Sequence, residues 1–166
     1  MAQGQTVSAF DADAFIAGTQ VNAALSDKSI PPPAGECSGT ITKVEASSFA
    51  SEKAEHPSGQ FFKLRVQWQL DDPNGKIKAV TKRDKNFASQ DIFLDLDAGM
   101  KLDTREGMNV GLGQLRTAVG QNEAGKAWAF STLVGASAIL NIIHEKRKDS
   151  DIVDARVKSV TKKARR

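Results

Sequence analysis

The segment Gln60–Leu70, with the sequence QFFKLRVQWQL, constrains the fold more than any other part of the chain. Its even-numbered positions are all large and apolar, whereas its odd-numbered positions carry one ring, two cations and two amides. This period-two alternation predicts a β-strand with one face in a core and the other in water. The apolar face comprises Phe62, Leu64, Val66, Trp68 and Leu70, and the other face comprises Phe61, Lys63, Arg65, Gln67 and Gln69.

The water-facing side of this strand combines Phe61 with Lys63 and Arg65 and carries no acid. Cations meet the phosphates of a single-stranded nucleic acid, while an aromatic ring stacks on a base. The combination therefore predicts a nucleic-acid contact. For this strand taken alone, a solvated face with one stray phenylalanine is an equal alternative.

Length and composition indicate one domain with a real core and terminal extensions, since the chain has 166 residues of which 40% are hydrophobic. The apolar runs are too short for a transmembrane helix or a signal peptide, so no membrane association is expected. A single cysteine, Cys37, argues against an internal disulfide framework and favours a reducing cytosol.

The formal charge is only +3, but the charge is unevenly distributed. Residues 60–86 hold seven Lys or Arg against three acids, and residues 145–166 hold nine against four. Residues 1–59 and 87–106 are net acidic. Two basic segments on a mildly acidic chain predict a local patch for a polyanion, although basic side chains that merely solvate strands and a tail are the alternative.

The amino-terminal part is predicted to be an extension, residues 1–33, that precedes a domain at 34–161 and a basic tail at 162–166. Residues 1–8 are small and polar and are expected to be disordered. A short helix is expected within Ala9–Gly18, with Phe10 and Phe15 packed onto the main body. The prolines at 31–33 form a stiff extended linker.

The first strand is predicted at Gly35–Ala46, with a bulge or bend at Gly39, and a polar loop follows at 47–59. A third strand is expected at Lys76–Arg83, joined to Gln60–Leu70 as an antiparallel hairpin through Asn-Gly. That hairpin would place Lys76, Lys78 and Lys82 on the same face as Lys63 and Arg65, although the sequence does not fix its register.

The second half of the chain alternates helical and extended patterns. Residues 84–97 fit either a short strand or an irregular packed loop. A capping box from Asp103 to Glu106 predicts a helix that ends at Gly120. Extended structure is expected at 128–133, and strands are expected at 135–144 and 152–161.

This order of elements predicts a mainly β protein: an OB-fold, a five-stranded Greek-key barrel with one helix between strands 3 and 4. In that fold, ligands lie over the second and third strands and between the loops that join strands 1 to 2 and 4 to 5. The nucleic-acid-binding residues predicted on this basis are Phe61, Lys63, Arg65, Gln67, Lys76, Lys78, Lys82, Arg83, Lys146, Arg147 and Lys148.

Three further aromatic residues are candidates for base stacking. Phe49 lies in the predicted polar loop, where it either anchors the loop or stacks on a base. Trp128 and Phe130 are two residues apart and share a face, for which core packing is favoured over a second stacking platform.

The sequence offers no convincing catalytic or metal-binding motif, so a non-enzymatic protein without cofactors is expected. The run from Gly120 to Lys126 resembles a phosphate loop, but Ala127 replaces the hydroxyl residue that would contact Mg²⁺. Cys37, His56 and His144 do not have the spacing of a zinc site. Asp91, Asp95 and Asp97 could hold Mg²⁺ for nuclease chemistry, although solvated loop positions are favoured.

Several segments together resemble phage-encoded single-stranded DNA-binding proteins with an OB-fold. The resemblance is carried by IPPPAGECSGTITKVEA and by the runs TKRDKNFASQDIFLD (81–95), NVGLGQLRTAVGQN (109–122) and AWAFSTLVG (127–135), and it covers roughly residues 30–160. It implies binding of strands exposed during phage replication or recombination in the host cytoplasm, with phage or host replication and recombination proteins as partners. Many such proteins end in an acidic tail that recruits partners, whereas this chain ends in Lys and Arg.

The leading hypothesis is therefore a protein that binds single-stranded DNA with little sequence preference. The main alternative is a structural or protein-binding β-barrel, such as a virion component or an assembly factor, whose Phe61 face packs on another subunit or on a second copy of the chain. The third is an accessory subunit or weak nuclease that uses residues 91–97.

Overall fold

The computed structural model describes residues 9–164 and shows a mainly β protein with few, short helices. The expectations for residues 1–8 and for the last two residues of the basic tail lie outside the described part. The strands are β1 (Gly35–Ala50), β2 (Gln60–Leu70), β3 (Phe87–Leu94), β4 (Ser137–Lys146) and β5 (Val153–Thr161). The helices are α1 (Ala12–Gly18), α2 (Lys76–Thr81) and α3 (Val110–Ala118), and a 3₁₀ turn spans Phe130–Leu133.

The five strands form one sheet that closes into a ring in the order β1-β2-β3-β5-β4. Neighbouring strands are antiparallel, except that β3 and β5 are parallel and meet at the single pair Ser89 and Arg156. Beyond that pair the two strands diverge, and α3 packs over the opening between them, where a groove of about 960 Å³ lies. The ring is therefore irregular at this one seam.

The core is built on the inward face of β2, as the alternation predicted. Phe62, Leu64, Val66, Trp68 and Leu70 are all buried. The indole Nε1 of Trp68 donates a hydrogen bond to Oε1 of Gln90 at 3.0 Å, so its polar atom is satisfied inside the ring. Leu64, Val66, Trp68 and Leu70 pack against buried residues of the other strands and of α3, among them Ile41, Ile92, Leu112, Leu115, Leu140 and Ile142. The ring of Phe62 contacts that of His56 instead, with ring centroids 5.0 Å apart.

The strand predicted at Lys76–Arg83 is wrong, because residues 76–81 form α2. The sequence KIKAVT alternates in the manner of a strand, but it also places Ile77 and Thr81 four residues apart on one helical face, and both are buried. The Asp72 carboxylate accepts hydrogen bonds from the backbone N–H groups of Ile77 at 3.0 Å and Lys78 at 2.8 Å. These bonds lower the pKa of Asp72 and satisfy two amides that the first helical turn leaves free.

The strand alternative for residues 84–97 is confirmed, because β3 occupies 87–94 and is the antiparallel partner of β2. Its even-numbered side chains, Ala88 and Ile92 among them, face the core, and its odd-numbered side chains face outward. The hairpin expected to turn at Asn74-Gly75 is therefore a longer connection that contains α2.

The helix expected after Asp103 exists, but it begins at Val110 and the predicted capping box is wrong. The Asp103 carboxylate binds Arg105 instead, and Asn109 precedes the helix at a positive φ of 52°. The buried Asn109 side chain accepts from the N–H of Asp95 and donates to the carbonyls of Asp95 and Asp103, each at 2.8 Å. This amide links the end of β3 to the start of α3.

Strand β1 differs from its predicted outline in two ways. It continues to Ala50, so Phe49 lies in a strand and the following loop is shorter than expected. Its bulge falls between Ile41 and Lys43 rather than at Gly39. Gly39 serves a close approach instead, because a Cβ there would lie 2.7 Å from Cδ1 of Leu140.

The remaining elements follow the predictions in part. Strands β4 and β5 are confirmed within two residues at each end. The helix α1 is also confirmed, but Phe10 and Phe15 are exposed and contact each other, with ring centroids 5.3 Å apart, rather than packing into the main body. The extended segment expected at 128–133 ends instead in the 3₁₀ turn.

The role of Asn109 can be tested by substitution. Because Asn109→Ala removes three hydrogen bonds at a buried site, we expect it to lower the free energy of unfolding by about 2–4 kcal/mol. Asn109→Gly loses the same bonds but accepts the positive φ, so it should recover roughly 1 kcal/mol of that loss. Urea unfolding measures both, and Asn122→Ala, which removes one exposed hydrogen bond, is the control. Equal stability of Asn109→Ala and the control would contradict this role.

Candidate nucleic-acid interface

The outward side chains of β2 lie between those of β1 and β3, which pair with it on either side. Phe49 of β1 is the cross-strand partner of Phe61, and Phe93 of β3 is the partner of Lys63. Next along the strand, Arg65 lies between Glu45 of β1 and Asp91 of β3. Side chains paired in this way point to the same side of the sheet, so three strands contribute to one surface.

Phe49, Phe61 and Phe93 form a group that we call the aromatic cluster. Their ring centroids are 5.5 Å apart for Phe49 and Phe61, 6.0 Å for Phe61 and Phe93, and 6.4 Å for Phe49 and Phe93. Phe93 is 59% exposed and Phe49 is 44% exposed. Three rings that touch one another while keeping much of their surface in water form an apolar platform on which a planar ligand can stack.

Lys63, Arg65, Asp91 and Arg156 form a second group, the charged cluster. Arg65 binds the Asp91 carboxylate with both Nε, at 2.7 Å, and Nη2, at 2.8 Å. Lys63 Nζ lies 3.6 Å and Arg156 Nη1 lies 3.7 Å from Oδ2 of the same carboxylate. The hydrogen bonds from Arg65 lower the pKa of Asp91, so it is a carboxylate at neutral pH. Three cations thus share one anion.

Arg156 joins the two edges of the ring at this cluster. Its Nη1 donates a hydrogen bond to Oγ of Ser89, the residue that pairs with it across the β3–β5 seam. Its Nε is buried without a hydrogen-bond partner in the described part of the chain, and the Glu145 carboxylate is 3.9 Å away. The guanidinium is therefore held in place but not fully satisfied.

The cations predicted between β4 and β5 are partly neutralised by acids of their own neighbourhood. Arg147 binds Asp154 through two hydrogen bonds, of 2.7 and 2.9 Å, which lower the pKa of Asp154. Lys146 Nζ lies 3.2 Å from Asp151, and Lys148 is exposed. Asp154 also lies within 4.0 Å of Arg156, which connects this loop to the charged cluster.

Three predicted cations do not lie on the surface described above. Lys76, Lys78 and Lys82 belong to α2 and its carboxyl-terminal cap, which follow Leu70. At about 3.3 Å per residue, Leu70 lies about 30 Å along β2 from Phe61, and α2 begins six residues after Leu70. The strand that would have placed these lysines on one face with Lys63 and Arg65 is a helix instead, so the structural reason for that shared face is removed.

Arg83 has a different place from the lysines that precede it. With Lys85 it lines a cleft of about 270 Å³ that also includes Gln67, Phe87 and Asp154. Phe87 is exposed on the same face of β3 as Phe93, six residues away, which corresponds to about 20 Å. Arg83 and Gln67 thus lie at one end of the outward face and the aromatic cluster lies at the other.

Trp128 and Phe130 are packed in the manner of core residues rather than as an open platform. Both are partly buried against the core, and their ring centroids are 5.0 Å apart. The indole Nε1 of Trp128 donates to Oε1 of Gln121 at 2.9 Å, and the Arg116 guanidinium lies 4.3 Å from its ring centroid. One side of the indole is therefore already covered by a cation.

Phe93 and Arg156 were not predicted as site residues from the sequence, and Asp91 was considered only as a metal ligand. A period-two count over FASQDIFL would have placed Phe87, Ser89, Asp91 and Phe93 on one face, as in β2. No local signal marks Arg156, because its place depends on the pairing of β3 with β5, two strands that lie more than 50 residues apart.

The three aspartates proposed for a metal do not converge. Asp91 is bound in the charged cluster, the Asp95 carboxylate accepts from the N–H of Asn109, and Asp97 accepts from the N–H groups of Gly99 and Lys101. Within residues 9–164 no three His, Cys, Asp or Glu side chains are grouped as metal ligands. Of the helices described here, none is long and apolar enough to cross a membrane.

Two comparisons with known proteins, one with family models and one with curated proteins, find no match.

The assignment of faces on β3 can be tested with two adjacent residues. Ile92 is buried, so we expect Ile92→Ala to lower the free energy of unfolding by about 2–5 kcal/mol. Phe93 is exposed, so Phe93→Ala should cost less than about 1.5 kcal/mol, the value of its ring contacts. Urea unfolding of both variants measures the difference. A larger loss for Phe93→Ala than for Ile92→Ala would mean that the two faces are assigned the wrong way round.

Proposed function

We propose that the protein is a non-enzymatic binder of single-stranded DNA with little sequence preference, and that its binding surface is the outward face of β1, β2 and β3. The observation that carries the proposal is the aromatic cluster beside the charged cluster on one surface. Rings stack on bases of any sequence, and cations contact phosphates, which every nucleotide carries. Such a surface binds a strand through groups that are independent of its sequence.

We also propose that the ring is an OB-fold. Its strand order, the parallel contact of β3 with β5 and the position of α3 between β3 and β4 support this assignment. In OB-folds, oligonucleotides lie over strands 2 and 3 between two loops. Here one of those loops follows Phe49 and precedes Phe61, and the other carries Arg147 and Lys148.

We propose that the bound single-stranded DNA runs along the outward face from the aromatic cluster, over the charged cluster, toward Gln67, Phe87 and Arg83. This length of about 20 Å is compatible with the few nucleotides that a single OB-fold covers at the lower end of its range. The resemblance to phage single-stranded DNA-binding proteins supports a role in phage replication or recombination in the host cytoplasm. Proteins of those processes are then the expected partners.

Stacking on the aromatic cluster gives the first test. Each stacked base contributes about 1–3 kcal/mol, so Phe61→Ala and Phe93→Ala should each weaken binding of labelled oligo(dT) by about that amount at every salt concentration. Phe15→Ala removes a ring from α1 that is 52% exposed, against 59% for Phe93, and is the control. Fluorescence anisotropy titration measures the affinities. Unchanged affinity in both cluster variants would defeat this placement of the bases.

Phosphate contacts give the second test, through the salt dependence of binding. The double variant Lys63→Ala, Arg65→Ala should flatten the slope of log affinity against log salt by at most about 1.4, since each single-strand phosphate contact contributes roughly 0.7. The matched control is Lys76→Ala, Lys78→Ala, which removes two lysine charges from α2 and should leave the slope unchanged. A reversal of these two results would move the phosphates to α2.

A protein-binding surface is the second candidate function, and the exposed aromatic cluster is the observation that favours it. Contiguous exposed apolar groups also mark sites where another protein docks. Size-exclusion chromatography with light scattering, with and without oligo(dT), separates the two functions. A stable dimer that dissociates on Phe93→Ala and ignores oligo(dT) would favour the protein-binding function.

A further inference from the structure

The Asp91 carboxylate occupies the position among three cations that an anionic ligand would take. Both of its oxygens are bonded to Arg65, and Lys63 and Arg156 lie 3.6 and 3.7 Å from one of them. A carboxylate and a phosphodiester both present two oxygens to the fork of an arginine, so the two compete for the same donors.

The geometry occupies the pair of Arg65 donors that a phosphate would use. Arg65 uses Nε and Nη2 for Asp91, which are the two donors of one edge of its guanidinium. A phosphate that binds the same edge must displace the carboxylate. The hydrogen bonds that hold Asp91 come from Arg65, an exposed side chain, rather than from the backbone, so the exchange leaves the strand pairing intact.

We propose that Asp91 is an internal counterion of the DNA-binding surface, which a phosphate of the bound strand displaces from Arg65, Lys63 and Arg156. This inference rests on the proposed function. Asp91 then limits the affinity, because each binding event must break its ion pairs before the cations reach the phosphate. The Asp91 carboxylate also reduces the repulsion among the three cations while no DNA is bound.

The chain contains a matched control for this proposal. Glu45 of β1 and Asp91 of β3 are the two cross-strand partners of Arg65, one on each side. Glu45 pairs with Lys43 at 2.6 Å, whereas Asp91 is bonded to Arg65 itself. Glu45→Gln and Asp91→Asn therefore each remove one negative charge beside the same arginine, but only the second removes its bonded counterion.

The test is a titration of labelled oligo(dT), from low to high salt, with the wild type and both variants. We expect Asp91→Asn to tighten binding about tenfold or more at low salt, the value of one charge-assisted hydrogen bond freed for the phosphate. Glu45→Gln should tighten it only about twofold, the effect of one nearby surface charge in water. The salt slope of Asp91→Asn should steepen by about 0.7, because no freed carboxylate takes up a cation on binding.

The outcomes separate this inference from the proposed function. If the wild type binds oligo(dT) and Asp91→Asn tightens binding no more than Glu45→Gln does, the effect is general electrostatics. This inference then fails while the proposed function stands. If Asp91→Asn weakens binding while urea unfolding shows unchanged stability, Asp91 positions the cations and the inference is again overturned. If neither protein binds, both proposals fail, whereas binding by Asp91→Asn alone would support Asp91 as the group that blocks the surface.

Discussion

Burial of the even-numbered side chains of β2 is the constraint on which the rest of the structure depends. Trp68, Val66 and Leu64 are at most 2% exposed, and they fill the centre of the ring together with residues of the other strands and α3. Because side chains alternate along a strand, burying this row fixes Phe61, Lys63 and Arg65 on the opposite face. The same packing therefore generates the core and orients the candidate site.

Only the part of the candidate site that lies within one strand could be predicted from the residue pattern of that strand. The period-two pattern of β2 identified Phe61, Lys63 and Arg65, and all three lie on one outward surface. The segment KIKAVT satisfied the strand and helix periods equally well, and the choice was made by the Asp72 carboxylate and by burial of Ile77 and Thr81. Neither the Asp72 hydrogen bonds nor this burial can be inferred from the residue pattern of the segment alone.

Charge is the property for which the sequence was least informative. The outward face of β2 carries no acid, and the basic segment that contains it was expected to contribute to a patch for a polyanion. The acids come from the neighbouring strands, where Asp91 and Glu45 lie on either side of Arg65. Which charges meet depends on strand register, which the composition of a single segment does not contain. Arg65, one of the two cations that the sequence places on this face, is thus paired with an acid in the folded protein.

Contacts within the protein therefore reduce the binding capacity of the aromatic cluster less than that of the charged side chains on this surface. Its rings contact one another but keep part of their area exposed, whereas Arg65 and Arg147 each donate two hydrogen bonds to an aspartate. Stacking is then expected to supply the affinity, and the charges to supply orientation and salt dependence. Trp128, covered by Arg116 on one side, has no comparable open platform.

Hydrogen–deuterium exchange of the protein with and without oligo(dT) tests the central claim most directly, because it maps the contact without any substitution. We expect slower exchange on binding in peptides that cover residues 43–50, 60–67 and 87–93, with little change at 76–82 and 126–133. Protection confined to 76–82 or 126–133, or no protection at saturating oligo(dT), would contradict that claim.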